Sequence, residues 1–317
     1  MKFTIIGHLI NDQNPDQIPE GWTLNEDLMI TPELNFNGTK GCGISILLSP
    51  KQMMQMPQED IRQQILNACM YAQNHLDAEV IQLGGLTTSV TSGGVWLTEQ
   101  EEFQGFVNHG DSYTAAVTCQ TVMKALEQSR KQSSDMVLAV VGAYGVIGEA
   151  VSKILVPKFK HSILIGRRSE KLEELSSNLD GDFHTTRDLE TKDADVIVTA
   201  TSHPTALLNS SHFKENAIVV DVSQPPNLSY DVCIQRPDIL RVDGGFVDSP
   251  TGFNVPLMPP GKIFACIAEV IMQAMENEKK NHVGSIDLSH LHKTEELARK
   301  HGFELNDLTN FGKTIKT

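Results

Sequence analysis

The chain has 317 residues, 40% of them hydrophobic and 21% charged, and a formal net charge of −14. That length can bury more than one core, and the acidic balance without a basic tract argues against a nucleic-acid partner. Five cysteines, Cys42, Cys69, Cys119, Cys233 and Cys266, are odd in number and lack CxxC spacing, so they indicate neither a disulfide framework nor a zinc site and fit a reducing, cytoplasmic compartment.

In chain order, MKFTIIGHLI is too short and too early for a signal peptide, and no apolar run reaches membrane-spanning length. Lys2 to Leu9 reads as a buried strand ending in Gly7-His8, with His8 either a site residue or a satisfied core histidine. The stretch to about Lys40 reads as irregular. Cys42 to Leu48 follows as a strand, and Pro57 to Leu76 as an amphipathic helix with Ile61, Ile65, Leu66, Cys69 and Met70 on its apolar face. A strand at Glu79 to Leu83 runs into Gly84-Gly85-Leu86-Thr87-Thr88-Ser89 and on to Gly94. Read as a loop, this segment offers glycine pairs and hydroxyls suited to an anion or oxyanion, or else is a flexible surface loop. A long helix is expected from Ser112 to about Gln132, with Asp111 or Ser112 capping it.

Met136 to Arg168 organises the remainder. An apolar run to Val141, glycines at 142, 145 and 148, helical spacing from Val146 to Leu155 and a second apolar run at Ser162 to Ile165 make a βαβ crossover. The turn contributes Gly142, Tyr144, Gly145, Val146, Ile147 and Gly148 as cofactor-binding candidates, since backbone amides at a helix start can hold a pyrophosphate; the alternative is a glycine turn without a ligand. Where an NAD site carries an acid, this chain has Gly166-Arg167-Arg168, so Arg167 and Arg168 suit the 2′-phosphate of NADPH unless they only solvate a loop. Strands at Val196 to Ala200, Ala217 to Val222 and Ile239 to Val242 extend a parallel sheet of about six strands. Thr201 and Ser202 lie at a strand end, on the nicotinamide side. Helices from Gly261 to Met275 and from about Leu288 to His301 close the chain. The expected architecture is α/β: a Rossmann-type doubly wound parallel sheet plus an N-terminal α/β substrate domain completed by C-terminal helices. The expected boundaries are 1–130, 131–258 and 259–317, the last segment packing back on the first.

Six segments carry a resemblance: IIGHLI at 5–10, ILNACMYAQ at 65–73, LGGLTTSV at 83–90, GDSYTAAV at 110–117, VVGAYGVIGEAV at 140–151 and KIFACIAEVI at 262–271. Through these the chain resembles the long-chain acyl-(acyl-carrier-protein) reductases, the aldehyde-forming enzymes best known from cyanobacteria. The resemblance implies NADPH-dependent reduction of a fatty acyl thioester, carried by acyl-carrier protein or coenzyme A, through an acyl-enzyme on Cys266. Ser112 and Tyr113 are the accompanying catalytic candidates, and His8, Gly84, Gly85, Leu86, Thr87, Thr88 and Ser89 the substrate-binding ones. Asp111 and Tyr113 stand where that family carries Asn and His. Cys266 falls in the first turn of its helix, whose partial positive charge is expected to lower the thiol pKa. Two other readings are a shikimate- or amino-acid-dehydrogenase-like NADP enzyme without covalent catalysis, and a non-catalytic NADPH-binding sensor.

Overall fold

The computed structural model describes residues 1–9, 18–203, 205–250, 253, 255 and 258–315; the start of the stretch expected to be irregular, and Ile10 of IIGHLI, lie outside the described residues. The chain divides into two compact units, Met1–Tyr113 with Ser249–Phe303, and Thr114–Asp248 with Glu304–Thr317.

The first unit opens with β1 (Phe3–His8), the short strands β2 (Thr23–Asn25), β3 (Leu28–Ile30) and β4 (Leu34–Phe36), and β5 (Thr39–Ile46). Then come α1 (Pro50–Gln55), α2 (Gln58–Leu76), β6 (Val80–Leu83), α3 (Leu86–Val90), α4 (Val95–Thr98) and β7 (Phe106–Asn108). The strands form one sheet in the order β2-β3-β5-β1-β6-β7, with β4 also paired to β5. Its centre is parallel: β1 lies between β5 and β6, and β6 pairs with β7. All four residues of β6 are buried, as expected of a parallel strand covered on both faces. On α2, Ile61, Ile65, Leu66, Ala68, Cys69 and Ala72 recur at helical spacing and are buried against this sheet. Asp77, in a left-handed conformation, ends that helix.

Helix α5 (Asp111–Gln128) follows, and the division between the units falls within it. The second unit contains β8 (Val137–Val141), α6 (Val146–Leu155), β9 (His161–Ile165), α7 (Ser169–Ser176), β10 (Phe183–Thr186), β11 (Val196–Thr199), β12 (Ile218–Asp221), α8 (Tyr230–Gln235) and β13 (Leu240–Asp243). The sheet order is β10-β9-β8-β11-β12-β13 and every pairing is parallel. Numbered from β8 as first strand, this is the 3-2-1-4-5-6 order of the doubly wound dinucleotide fold, with its reversal between β8 and β11. The C-terminal segment is tied to β13: Arg241 bonds Asp243 (2.5 Å) and Asn310 (3.0 Å) and lies over the Phe311 ring at 3.9 Å.

Residues of the later chain complete the first unit. Helix α9 (Ala265–Met275) packs on β1, β5 and β6, and α10 (Leu288–His301) packs on α9. Two polar side chains, Glu269 and Gln273, are buried with the apolar ones of α9. Gln273 donates to the carbonyls of Glu278 (3.0 Å) and Lys280 (2.7 Å) and accepts from Asn108 (2.8 Å), which secures the end of α9 to β7.

Candidate active site

At the reversal point in the second unit, the glycines are there for close approach. A Cβ on Gly142 would fall 2.3 Å from the Ala200 carbonyl oxygen, and one on Gly148 2.1 Å from that of Gly142. Only glycine therefore lets the end of β8, the end of β11 and the start of α6 close together. No side chain caps α6 at Gly145, so the first-turn amides of Val146, Ile147 and Gly148 have no side-chain cap competing with a phosphate. The residues fit a dinucleotide.

Tyr144 leaves this turn toward the end of β9. Its hydroxyl accepts from the amides of Arg167 (3.1 Å) and Arg168 (3.2 Å), and the Arg168 guanidinium sits 5.3 Å from its ring centre. Burial acts to raise the phenol, but the hydrogen bonds and charge of Arg168 and the Arg167 amide outweigh it and hold Tyr144 below its ordinary value. Across the switch point, the Thr201 amide donates to Ser223 Oγ (3.0 Å), and the Thr201 and Ser223 hydroxyls both donate to Asn227 Oδ1 (2.7 and 2.9 Å). The loops after β11 and β12 are thus locked to one another. Ser202 is exposed beside Thr201.

In the first unit, Cys266 is the second residue of α9 and keeps part of its surface accessible. Asp111, half-buried, and Glu269, buried, lie near enough for their charges to act on the thiol, and buried His109 in turn acts on both carboxylates. The Asp111 amide donates to His109 Nδ1 (2.9 Å), which leaves the ring proton of a neutral His109 on Nε2. Glu269 accepts from the Tyr113 amide (2.7 Å) and lies 3.1 Å from His290 Nε2.

The electrostatics reverse one expectation. The Cys266 thiol is pushed up to about 12, first by burial and then by the charges of Asp111 and Glu269; the amides of Ile267 and Cys266 at the helix start pull it down, but by less. The helix effect has the expected sign and is overruled first by burial and then by the charges of two carboxylates. Asp111 is itself raised to about 6, by burial first and by Glu269, against the pull of His109. Burial acts to raise Glu269, but the His290 hydrogen bond and charge, the charge of His109 and the Tyr113 amide hold it below the usual carboxylate range.

Ser112 and Tyr113 are both buried in the first turn of α5. The Tyr113 hydroxyl donates to the Phe303 carbonyl, so it anchors α5 to the end of α10. His8 lies 2.8 Å from the Leu9 carbonyl through Nδ1 and accepts from the Leu86 amide (3.2 Å) through Nε2. Burial lowers its pKa, with the Leu9 hydrogen bond opposing, so the ring is neutral and both nitrogens hold the turn. The expected loop after β6 is in fact helical: Gly84 and Gly85 lead into α3, with Ser89 exposed and Leu86, Thr87 and Thr88 buried. The Thr87 hydroxyl donates to the Gly84 carbonyl (2.9 Å) and that of Thr88 to the Leu83 carbonyl (2.9 Å), which turns them to the main chain rather than into an open nest.

His109, Glu269 and His290 were not singled out from the sequence. Glu269 had a visible signal, because Cys266 and Glu269 are three apart and share one face of a helix.

Comparison with known proteins narrows the class. Residues 124–243 match the family described as shikimate / quinate 5-dehydrogenase. An aminotransferase, PigE, of a Serratia species is 27% identical over 75% of this chain, and the chain spans only 29% of that protein's length. The long-chain acyl-(acyl-carrier-protein) reductase of Synechococcus elongatus is 25% identical, covering 95% of this chain and 98% of that protein. Shikimate dehydrogenase of Aquifex aeolicus superposes with a TM-score of 0.42 at 12% identity, covering 93% of this chain and 97% of its own. The second unit is therefore an NAD(P)-binding domain of the oxidoreductase class with a Rossmann-type parallel sheet. Among the described residues, no helix is long and apolar enough to cross a membrane.

Proposed function

We propose that the chain reduces a fatty acyl thioester to an aldehyde with NADPH through an acyl-enzyme on Cys266. One observation carries this reading: a partly accessible cysteine at the start of α9, its backbone against Gly110, with the carboxylates of Asp111 and Glu269 near enough to act on the thiol. The similarity to the Synechococcus reductase over nearly the full length of both chains supports it. Attack by the Cys266 thiolate on the thioester carbonyl forms a new carbon–sulfur bond and expels the carrier thiolate, which takes up a proton. NADPH, when bound at the turn of Gly142 to Gly148, supplies the hydride that releases the acyl group as aldehyde and returns Cys266 as thiolate. Arg167 and Arg168 would meet its 2′-phosphate, Thr201 and Ser202 would border its nicotinamide end, and Asp111 or His109 would take and return the thiol proton. An acidic acyl-carrier protein would need a local basic patch on this acidic chain, whereas a coenzyme A thioester would not.

The test is intact mass after incubation with an acyl-coenzyme A or acyl-carrier-protein thioester in the absence of NADPH. A thioester-linked adduct on the wild type that is missing from Cys266→Ala supports the reading; an adduct that persists in Cys266→Ala and is lost in Cys119→Ala refutes it.

A second reading has its own support: hydride transfer to or from a carbonyl without a covalent step, as in a dehydrogenase of the shikimate type. A thiol at about 12 is ionised in only about one molecule in 10⁵ at pH 7, and residues 124–243 match that family. Undiminished turnover by Cys266→Ser would decide in its favour.

A further inference from the structure

We propose that Glu278, His282 and His290 form a binding site for a divalent transition-metal ion of the zinc class. One nitrogen from each histidine and one carboxylate oxygen lie within 4.8 Å of one another. Glu278 and His282 come from the segment between α9 and α10 and His290 from the first turn of α10, so their convergence is a product of the fold of the first unit.

What points to a ligand is the state of two atoms. His282 Nε2 and Glu278 Oε2 are buried and have no hydrogen-bond partner among the described residues. The His282 side chain is 5% exposed and that of His290 8%. An orphaned buried imidazole nitrogen and carboxylate oxygen side by side are costly without a third party to bind them. The nearest contact across them, His282 Nε2 to Glu278 Oε1 at 3.7 Å, is too long for a hydrogen bond.

The scaffold is built to hold these groups. The His282 amide donates to the Val107 carbonyl (2.8 Å), its carbonyl accepts from the His109 amide (3.1 Å), and Asn281 Oδ1 accepts from the Val107 amide (2.9 Å). His282 is thereby an added rung on the edge of β7. His290 is held by Glu269 at 3.1 Å, the kind of carboxylate support that orients metal-bound imidazoles. Glu278 engages Lys293 through Oε1 (2.8 Å) and leaves Oε2 for the ion. The two rings stack at 3.5 Å between centroids with an 8° interplanar angle, so ligation requires them to splay until both lone pairs converge. Two imidazoles and a carboxylate, with a remaining position for water, are a donor set for Zn²⁺ or Co²⁺ rather than for Mg²⁺ or Ca²⁺. His290 shares Glu269 with the surroundings of Cys266, and metal binding does not require the reaction proposed above.

The test uses the untagged full chain, treated with chelator and dialysed, then titrated with Zn²⁺ by calorimetry and with Co²⁺ by visible absorption. One ion per chain is expected, with Co²⁺ bands of a low-coordinate site. His282→Asn and Glu278→Gln should each abolish binding while keeping the wild-type circular dichroism, and Glu278→Gln, at a partly exposed position, serves if His282→Asn fails to fold. His184→Asn, which disrupts the separate His161–His184 pair, should leave binding intact. No binding by the wild type, binding that survives loss of Glu278 or His282, or binding lost in His184→Asn would each overturn the proposal.

Discussion

Gly110 and Cys266 are in contact: a Cβ placed on Gly110 would come 2.5 Å from both the Cα and the Cβ of Cys266. Gly110 also has φ +72°, where a side chain is strained whatever the space. The residue before Asp111 is therefore set by the position of the thiol.

Gly110→Ala should displace the start of α9 and destabilise the protein by about 2 kcal/mol or more. Acylation by a thioester should fail while NADPH binding, which depends on the second unit, persists. Thermal melts, intact mass and fluorescence titration with NADPH measure the three effects. Wild-type melting and acylation in the variant would contradict the contact.

Stability should fall with pH between about 4 and 6 on account of Asp111. Its folded value is about 6 against an ordinary 3.8, with burial the main cause. In that window the native state holds a proton that the unfolded chain has lost, so each rise in pH favours unfolding, and above about 6 the penalty is constant. Two pH units correspond to roughly 3 kcal/mol. Asp111→Asn should remove this part of the profile and be relatively more stable at pH 8 than at pH 4. Urea midpoints at the two pH values test it, and the opposite ordering would refute it.

Alkylation of Cys266 should be slow at neutral pH and accelerate about tenfold per pH unit toward the alkaline side, because only the thiolate reacts. Asp111→Asn removes one of the two negative charges that lift the thiol, so iodoacetamide should label Cys266 faster in that variant at pH 8. Peptide mass mapping gives the rate; equal rates in the two proteins would mean that Asp111 does not set the thiol.

NADPH should bind more tightly than NADH. Arg167→Ala or Arg168→Ala should each weaken NADPH by about ten- to a hundredfold, equivalent to a lost charge-assisted contact of about 1.5 to 3 kcal/mol, and leave NADH nearly unchanged. Equal affinity of the wild type for both cofactors would end the assignment of the arginine pair.

The sequence was most legible where elements are long and fully buried. The runs at Met136 to Val141, Ser162 to Ile165, Val196 to Ala200, Ala217 to Val222 and Ile239 to Val242 correspond to β8, β9, β11, β12 and β13, since strands covered on both faces are continuous apolar runs. The sixth strand, β10, escaped because Phe183 to Thr186 is an edge with two exposed residues and no apolar run. Thr23–Asn25, Leu28–Ile30 and Leu34–Phe36 escaped because three residues are too few for alternation to register. The segment from Gly84 to Gly94 reads as a loop on its glycines and hydroxyls, whereas within it Leu86–Val90 is a helix, with Thr87 and Thr88 buried and bonded to main-chain carbonyls. At the candidate site, spacing located Cys266 at a helix start but could not reveal that Asp111, 155 positions earlier, lies near enough to raise its pKa.

The first unit is assembled from chain segments made far apart in time. Helix α9, which covers β1, β5 and β6, begins at Ala265, whereas β1 begins at Phe3. At translation rates of about 5 to 20 residues per second, the sheet waits roughly 10 to 50 seconds for that cover, with Ile and Val side chains bare to solvent in the interval. A ribosome stalled before Ala265 therefore carries a sheet that cannot close, and expression of this protein should respond to holdase chaperones more strongly than to growth temperature alone.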